Sequence, residues 1–275
     1  MSRRRGGLLG GAAIIVLLLA FLFPIWATLV TSLKQPQDIF SGFTLLPQAA
    51  TLDNYQALFE RYHMGSFLVN SLIVVSIATA VSLVLGTLAA YSLARFRLWR
   101  GLNDQTLVAS LVVRMLPAIL LVIPLFILLG PLGLLNTRLG LIIVYSGLNT
   151  SFVIWMMQSF FEDIPRDIEE AAMVDGSSRL AALWRVVLPL AAPGIAATAI
   201  FSVIATYNDF LMALTLTSTP AAQTVPVGVS TLIGKNQIQW GPMAAAGIVG
   251  AIPIILFALA VQRHFVRGLT LGAVK

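Results

Sequence analysis

Three groups of residues have types and spacings that could do chemistry or recognition. The first is a charged run inside an otherwise apolar chain, residues 162–194, which reads EDIPRDIEEAAMVDGSSRLAALWRVVLPLAAPG. The second is a set of polar side chains within long apolar stretches: Arg114 and Asp209, with Tyr145, Asn149, Thr150, Ser151, Tyr207 and Asn208. An ionisable residue inside a membrane span is costly and is a functional candidate by default. Amides, carboxylates and aromatic faces together suit a solute rich in hydroxyl groups, so Tyr145, Asn149, Tyr207, Asn208 and Asp209 are candidates for the lining of a translocation path. The competing reading is hydrogen bonding between helices, and for any one residue it is the stronger of the two. The third group is the pair His63 and His264, which are isolated and lack metal-ligand spacing, so no metal site is expected. No Ser-His-Asp arrangement is suggested. No glycine loop followed by Lys-Ser/Thr is present, so no ATP hydrolysis by this chain is expected. The absence of cysteine excludes disulfides, iron–sulfur ligation and thiol catalysis.

The elements that must carry these groups follow from composition. The chain has 275 residues, 58% of them hydrophobic and 10% charged, and its mean hydropathy is +0.92. Soluble domains carry roughly 25% charged residues, so lipid is the expected solvent. A span needs about 20 mostly apolar residues, and six stretches qualify: 8–33, 67–93, 107–129, 141–161, 191–216 and 243–261. Helices are the natural reading because each satisfies its own backbone in lipid. Pro24, Pro117, Pro124 and Pro253 fall inside these spans as tolerated kinks. The apolar stretch after Arg3, Arg4 and Arg5 exceeds a signal-peptide core, which favours an uncleaved anchor.

The basic residues orient the bundle. Arg3, Arg4, Arg5, Arg95, Arg97, Arg100, Arg166, Arg179, Arg185, Arg263, Arg267 and Lys275 fall on one side, against Lys34, Arg61, Arg138 and Lys235 on the other. The positive-inside rule then puts both termini in the cytoplasm. The net charge of +6 is a topology signal rather than a nucleic-acid footprint. Counting along straight helices, Asp209 lies about 27 Å into the fifth span and near its outer end. Arg114 is close to the inner end of the third, where it would snorkel or line an inward cavity. No direct pair between them is expected. Outside, residues 52–62 are expected to form a short surface helix. Small residues recur at four-residue spacing, Gly86 with Ala90 and Gly247 with Ala251. Such faces let helices approach closely, with packing inside this chain favoured over packing on a partner.

The run at 162–194 then reads as two short helices meeting at a glycine elbow on the cytoplasmic side. Pro165 suits a first helical turn, and Asp167, Glu169 and Glu170 suit the positive end of that helix. Gly176 can end it in a left-handed conformation. Ser177 or Ser178 can cap the second helix, on which Leu180, Leu183 and Val187 share a face beside Trp184 and Leu188. Pro189 and Pro193 mark its junction with the next span.

Glu170-Ala171-Ala172, three residues, Gly176, nine residues, Val186, one residue, then Leu188-Pro189: this order resembles the EAA signature of ABC importer permeases. Tyr207-Asn208-Asp209-Phe210, Asp53-Asn54-Tyr55, Asn70-Ser71 and the tail from Gln262 to Lys275 resemble the carbohydrate branch, of the maltose and trehalose type. Within that branch the chain looks like the shorter, six-span permease of the pair. The resemblance implies an all-α integral membrane protein of the type I importer permease fold. It implies one permease domain over residues 1–275, with residues 162–194 as its coupling segment. Glu170, Ala171, Ala172, Asp175, Gly176, Leu188 and Pro189 would dock on an ATPase subunit. The implied partners are a second homologous permease, two ATPase subunits holding ATP and magnesium, and an extracytoplasmic sugar-binding protein. The implied location is a prokaryotic inner membrane. No cofactor on this chain, no catalysis by it and no nucleic acid are expected. A secondary transporter would need inverted repeats and paired broken helices, and neither is visible in the sequence. An intramembrane enzyme would need a convergent catalytic set, which is also missing. An importer of the same fold for a non-sugar solute is the closest alternative.

Overall fold

The computed structural model describes residues 2–42, 44–96, 101–234 and 237–272. Arg97, Arg100, Lys235 and the terminal Ala273, Val274 and Lys275 lie outside the described residues. So do the side chains of Arg3, Arg4, Arg5 and of residues 262–272, including Arg263, His264 and Arg267. The described chain is helical, with one isolated bridge between Ile233 and Ile238. In chain order the helices are α1 (Ser2–Ser32), α2 (Asp53–Glu60), α3 (Met64–Arg95), α4 (Leu102–Met115), α5 (Ala118–Leu129), α6 (Arg138–Glu162) and α7 (Arg166–Val174). After these come α8 (Arg179–Ala182), a π turn (Leu183–Val187), α9 (Leu188–Tyr207), α10 (Leu211–Leu216), α11 (Val225–Ser230) and α12 (Trp240–Gly272).

Five stretches are long and apolar enough to cross a membrane: Ala13–Ser32, Met64–Arg95, Arg138–Glu162, Arg179–Tyr207 and Trp240–Val261. The sixth expected span, 107–129, is two helices, α4 and α5, bent by 99°. The cause is local. Pro117 has no N–H to donate, and it pushes the residue before it out of the helical region. Leu116 is extended, with φ −64° and ψ 127°. Pro24, by contrast, stays within α1, where the Thr28 hydroxyl donates to the Pro24 carbonyl at 2.9 Å.

The fifth expected span, 191–216, is also shifted. Its helix starts at Arg179 and stops at Tyr207, and α10 begins after a break at residues 208–210. Asp209 produces the break by capping the new helix: its Oδ1 accepts the Met212 N–H at 3.0 Å. The second helix of the elbow is therefore no separate element. It is the opening of the fifth span, joined to α9 through the π turn. That turn ends two residues before Pro189, whose missing N–H leaves the Arg185 carbonyl within the turn without its α-helical partner.

The chain groups into two compact units, residues 1–65 with 228–252, and residues 66–227 with 253–275. In the first, α2 is the expected surface helix. Asn54 is buried and donates to the carbonyls of Ser32 at 2.9 Å and Lys34 at 2.8 Å, closing the end of α1. The Tyr55 hydroxyl meets Ser32 Oγ at 2.7 Å. The second unit has two apolar clusters. One gathers Val74 and Ala78 of α3, Val122 and Leu129 of α5, Leu141, Val144 and Tyr145 of α6, and Met212 and Leu216 of α10. The other joins Ala90, Tyr91 and Ala94 of α3 to Val153, Met157 and Phe161 of α6, and to Leu183, Val187 and Ala191. Gly86 is what lets α3 and α6 meet: a Cβ there would lie 2.5 Å from Val153 Cβ. Ala90 is fully buried, so this small-residue face is used inside the chain. On the last helix Ala246 is buried and Gly247 exposed.

Large apolar side chains also cover the outside, among them Phe21 at 77% exposure on α1 and Ile123 at 69% on α5. Outward apolar surface of this extent fits a hydrocarbon surround.

Candidate functional site

The charged segment is built around α7. Pro165 is the residue before its first turn, and Asp167 and Glu169 stand in that turn, where they face the positive end of the helix dipole. The helix ends in a Schellman turn. The Gly176 N–H donates to Met173 O at 3.1 Å and the Ser177 N–H to Ala172 O at 3.0 Å, with Gly176 at φ +91°. No atom lies within 4 Å of where a Gly176 Cβ would stand. The glycine is therefore required by backbone conformation and not by crowding. Of the two candidate caps for the following helix, Ser178 serves, with its Oγ accepting the Ala181 N–H at 3.2 Å.

A buried ionic cluster ties α7 to α3. Glu169 and Arg95 form an ion pair at 2.8 Å with side chains 3% and 4% exposed. Arg95 also donates to the Ile164 carbonyl at 3.0 Å, and the Tyr91 hydroxyl donates to Glu169 Oε1. Arg166 adds a bond from its guanidinium to Ala94 O at 2.8 Å. Tyr91 itself stacks edge-on against Phe161 of α6. The two buried charges, Arg95 and Glu169, are paired and hydrogen-bonded, the condition under which buried charge is tolerated.

The other face of α7 and its elbow is open. Glu170, Ala171, Asp175, Gly176 and Pro189 are exposed, while Ala172 and Leu188 are half-buried. Val174 is 87% exposed. The apolar stripe expected on the second helix divides: Leu183 and Val187 are buried, whereas Leu180 and Trp184 are 63% and 59% exposed. Glu169, Tyr91 and Arg95 do not stand out for this role in the sequence. The available signals are the second acid beside Glu170 and an arginine closing an apolar span.

The candidate polar groups of the spans are largely partnered, although the buried hydroxyls of Thr79, Ser146 and Ser202 are not. Asn149 is buried and donates to Thr206 Oγ1 at 2.7 Å. Tyr145 is buried and donates to Asp209 Oδ1 at 2.8 Å. The Thr150 hydroxyl returns to the Ser146 carbonyl, and exposed Asn208 donates to Ile204 O at 2.9 Å. Tyr207 borders a largely apolar cavity of about 300 Å³ with Thr79, Val203 and Phe257. Arg114 and Asp209, expected at different depths, border one cavity of about 180 Å³. Their expected separation in depth holds only for a straight third span, and the 99° bend removes that basis. As expected they are not an ion pair; the pair among the described residues is Arg95–Glu169. Arg114 instead stacks over Phe152 at 4.9 Å. Two interrupted spans are thus present where the sequence showed none. The motif residues Asn70 and Ser71 fasten the loop between α10 and α11. Asn70 donates to the carbonyls of Pro220 and Gln223, and Ser71 Oγ accepts the Val225 N–H.

Residues 82–271 match the family described as binding-protein-dependent transport system inner membrane component. The chain belongs to this family. Within it, this permease is 38% identical over 263 residues to the sulfoquinovosyl glycerol transport system permease of Agrobacterium fabrum, covering 94% of this chain and 91% of the relative. It is 40% identical over 256 residues to the trehalose transport system permease of Mycobacterium tuberculosis, covering 92% of each. It is 35% identical over 268 residues to the trehalose/maltose transport system permease of Thermococcus litoralis, covering 96% and 95%. The permease fold superposes on a chain of a bacterial ABC transporter for the acidic polysaccharide alginate with a TM-score of 0.79, at 23% identity, over 96% of this chain and 98% of that one. The expected fold class is borne out: an all-helical inner-membrane permease, with five helices long enough to span and a bent pair, α4 and α5, in the place of the sixth.

Proposed function

We propose that this permease is one of two membrane subunits of an ATP-driven importer for a sugar of the trehalose or maltose type. Its relatives' names support a sugar as the substrate class: sulfoquinovosyl glycerol, trehalose and trehalose/maltose permeases align with it over nearly the whole chain. The observation that carries the mechanism is α7. A short helix is held on one side by a buried ion pair and presents Glu170, Ala171, Val174, Asp175 and Gly176 on the other. Small alanines allow close approach, and an exposed valine beside acids gives a mixed apolar and charged docking face. ATP and magnesium sit on two ATPase subunits, a second permease completes the path, and an extracytoplasmic protein delivers the sugar. Both termini lie in the cytoplasm, on the side of α7.

The cycle is one of alternating access. ATP binding closes the ATPase pair and displaces α7, and the buried cluster passes that displacement to α3. The work comes from different affinities for two conformations and not from chemistry in this chain. The two interrupted spans also suit a secondary transporter, and uptake driven by protons without an ATPase would favour that reading. The test is affinity capture of the native chain from its own membranes, with partners identified by mass spectrometry, beside Gly176→Pro. A second permease and an ATPase accompany the native chain, and the ATPase is lost from the variant. Capture of the native chain with no ATPase overturns the docking role of α7.

A further inference from the structure

The bend between α4 and α5 and the break between α9 and α10 open onto the same cavity of about 180 Å³, whose wall includes Arg114, Leu116, Ala118, Asp209 and Met212. Unwound segments in two spans are where transporters place solute contacts, because backbone and side-chain polar groups become available there. Arg114 stands in the last turn of α4, where a cation is favoured by the helix dipole. Its side chain is exposed, and it stacks on the Phe152 ring at 4.9 Å without an ion-pair partner among the described residues. An exposed guanidinium amid apolar spans is stable facing water, not hydrocarbon. Asp209 is half-buried and already fixed in place. Its Oδ1 takes both the Tyr145 hydroxyl at 2.8 Å and the Met212 N–H at 3.0 Å, so Oδ2 remains as an acceptor.

The charges decide the chemistry. A guanidinium alone would recruit an anion, but a carboxylate in the same cavity opposes one, and the guanidinium opposes a cation. An uncharged solute with neighbouring hydroxyls satisfies both: one hydroxyl accepts from Arg114 and the next donates to Asp209, with Leu116, Ala118 and Met212 as apolar wall beside them. We infer that Arg114 and Asp209 form a contact site of this chain for an uncharged, polyhydroxylated solute on the translocation path. This rests on the importer reading above, and it adds that this subunit touches the solute itself.

The chain contains no cysteine, so Ala118→Cys places a single reporter thiol on the cavity wall with Arg114 intact. The complete importer in membrane vesicles is treated with a membrane-impermeant methanethiosulfonate, and modification of this chain is followed with time. Ile123→Cys, on the outward apolar surface of α5, is the control. The thiol at position 118 reacts and the control does not. At about ten times the Kd of trehalose or maltose, the open fraction falls as 1/(1 + [L]/Kd), so modification slows roughly tenfold. Glucuronate gives no such protection. Adding Arg114→Gln leaves the thiol reactive and abolishes the protection. An unreactive thiol at 118, and also at Val113→Cys, in an importer that still captures its ATPase, means the cavity is dry and overturns the inference. So does protection by glucuronate alone, protection by no sugar, or protection unchanged by Arg114→Gln. ATP-driven uptake of trehalose and maltose by native vesicles is measured alongside. Absence of both uptakes is a failure of the sugar reading, whereas uptake without protection is a failure of this site alone.

Discussion

Arg95→Met removes the cation from the cluster that holds α7, while keeping a long side chain to fill the space. Because Arg95 and Glu169 are 4% and 3% exposed, solvent offers the abandoned carboxylate little compensation. Breaking a buried pair from one side costs about 3–5 kcal/mol, because one charge is left without its partner. The bond from Arg95 to the Ile164 carbonyl is lost as well, and that contribution lies within the same figure. At 1.4 kcal/mol per decade, the local opening of α7 becomes more frequent by about two to three and a half decades. Hydrogen exchange reads that opening directly, at amides of residues 166–174 in the purified importer. The paired variant Arg95→Met with Glu169→Met recovers most of the protection, since replacing both members of a buried pair by apolar groups is often neutral. ATPase capture follows the same order: native, double variant, single variant. A change in exchange of less than a decade in the single variant refutes the reasoning. So does a double variant that exchanges as fast as the single one.

Gly176→Ala forces a side chain into φ +91° with no steric contact to blame. It weakens the elbow by about 1–2 kcal/mol, read as faster exchange at Ser177 and reduced ATPase capture. Gly86→Ala drives a methyl to 2.5 Å from Val153 Cβ. It lowers thermal stability in detergent by an amount equivalent to about 1–3 kcal/mol, and Val153→Ala restores most of it. Asn149→Ala breaks the 2.7 Å bond to buried Thr206. The loss is about 1–3 kcal/mol in the same melting assay, with partial recovery when Thr206→Val removes the stranded hydroxyl.

Length and apolarity decide whether a segment can cross a bilayer, and both are local properties, so the spans were legible. The elbow was legible for the same reason. Gly176, Ser178 and the acids of α7 act on backbone within a few residues of themselves. The interruptions were not. Pro24, Pro117, Pro124 and Pro253 look alike in sequence, yet three sit inside helices and one precedes a 99° bend. Whether proline kinks or breaks a span depends on what satisfies the carbonyl four residues before it, which is set by packing and not by the local sequence. Asp209 reads as a buried charge, and that reading hides its capping of Met212, although capping is a local signal. Glu169 and Glu170 are adjacent and chemically equal. One is buried because Arg95, 74 positions earlier in the chain, is brought beneath it by the packing of α3. The 180 Å³ cavity has a similar origin, since its walls come from four helices and its two charges are far apart in sequence.

The continuity of α8, the π turn and α9 has a mechanical consequence. Residues Arg179–Tyr207 form one apolar rod of 29 residues, about 43 Å long at 1.5 Å per residue. One end begins three residues after the Gly176 hinge, and the other stops two residues before Asp209. For a lever of that length, a tilt of about 5° about the hinge carries the far end through about 4 Å. The cavity bordered by Arg114 and Asp209 and the elbow at Gly176 thus lie at opposite ends of a single arm. Small angular work at the elbow becomes an atomic-scale change in the cavity wall, with no chain of intermediate contacts required.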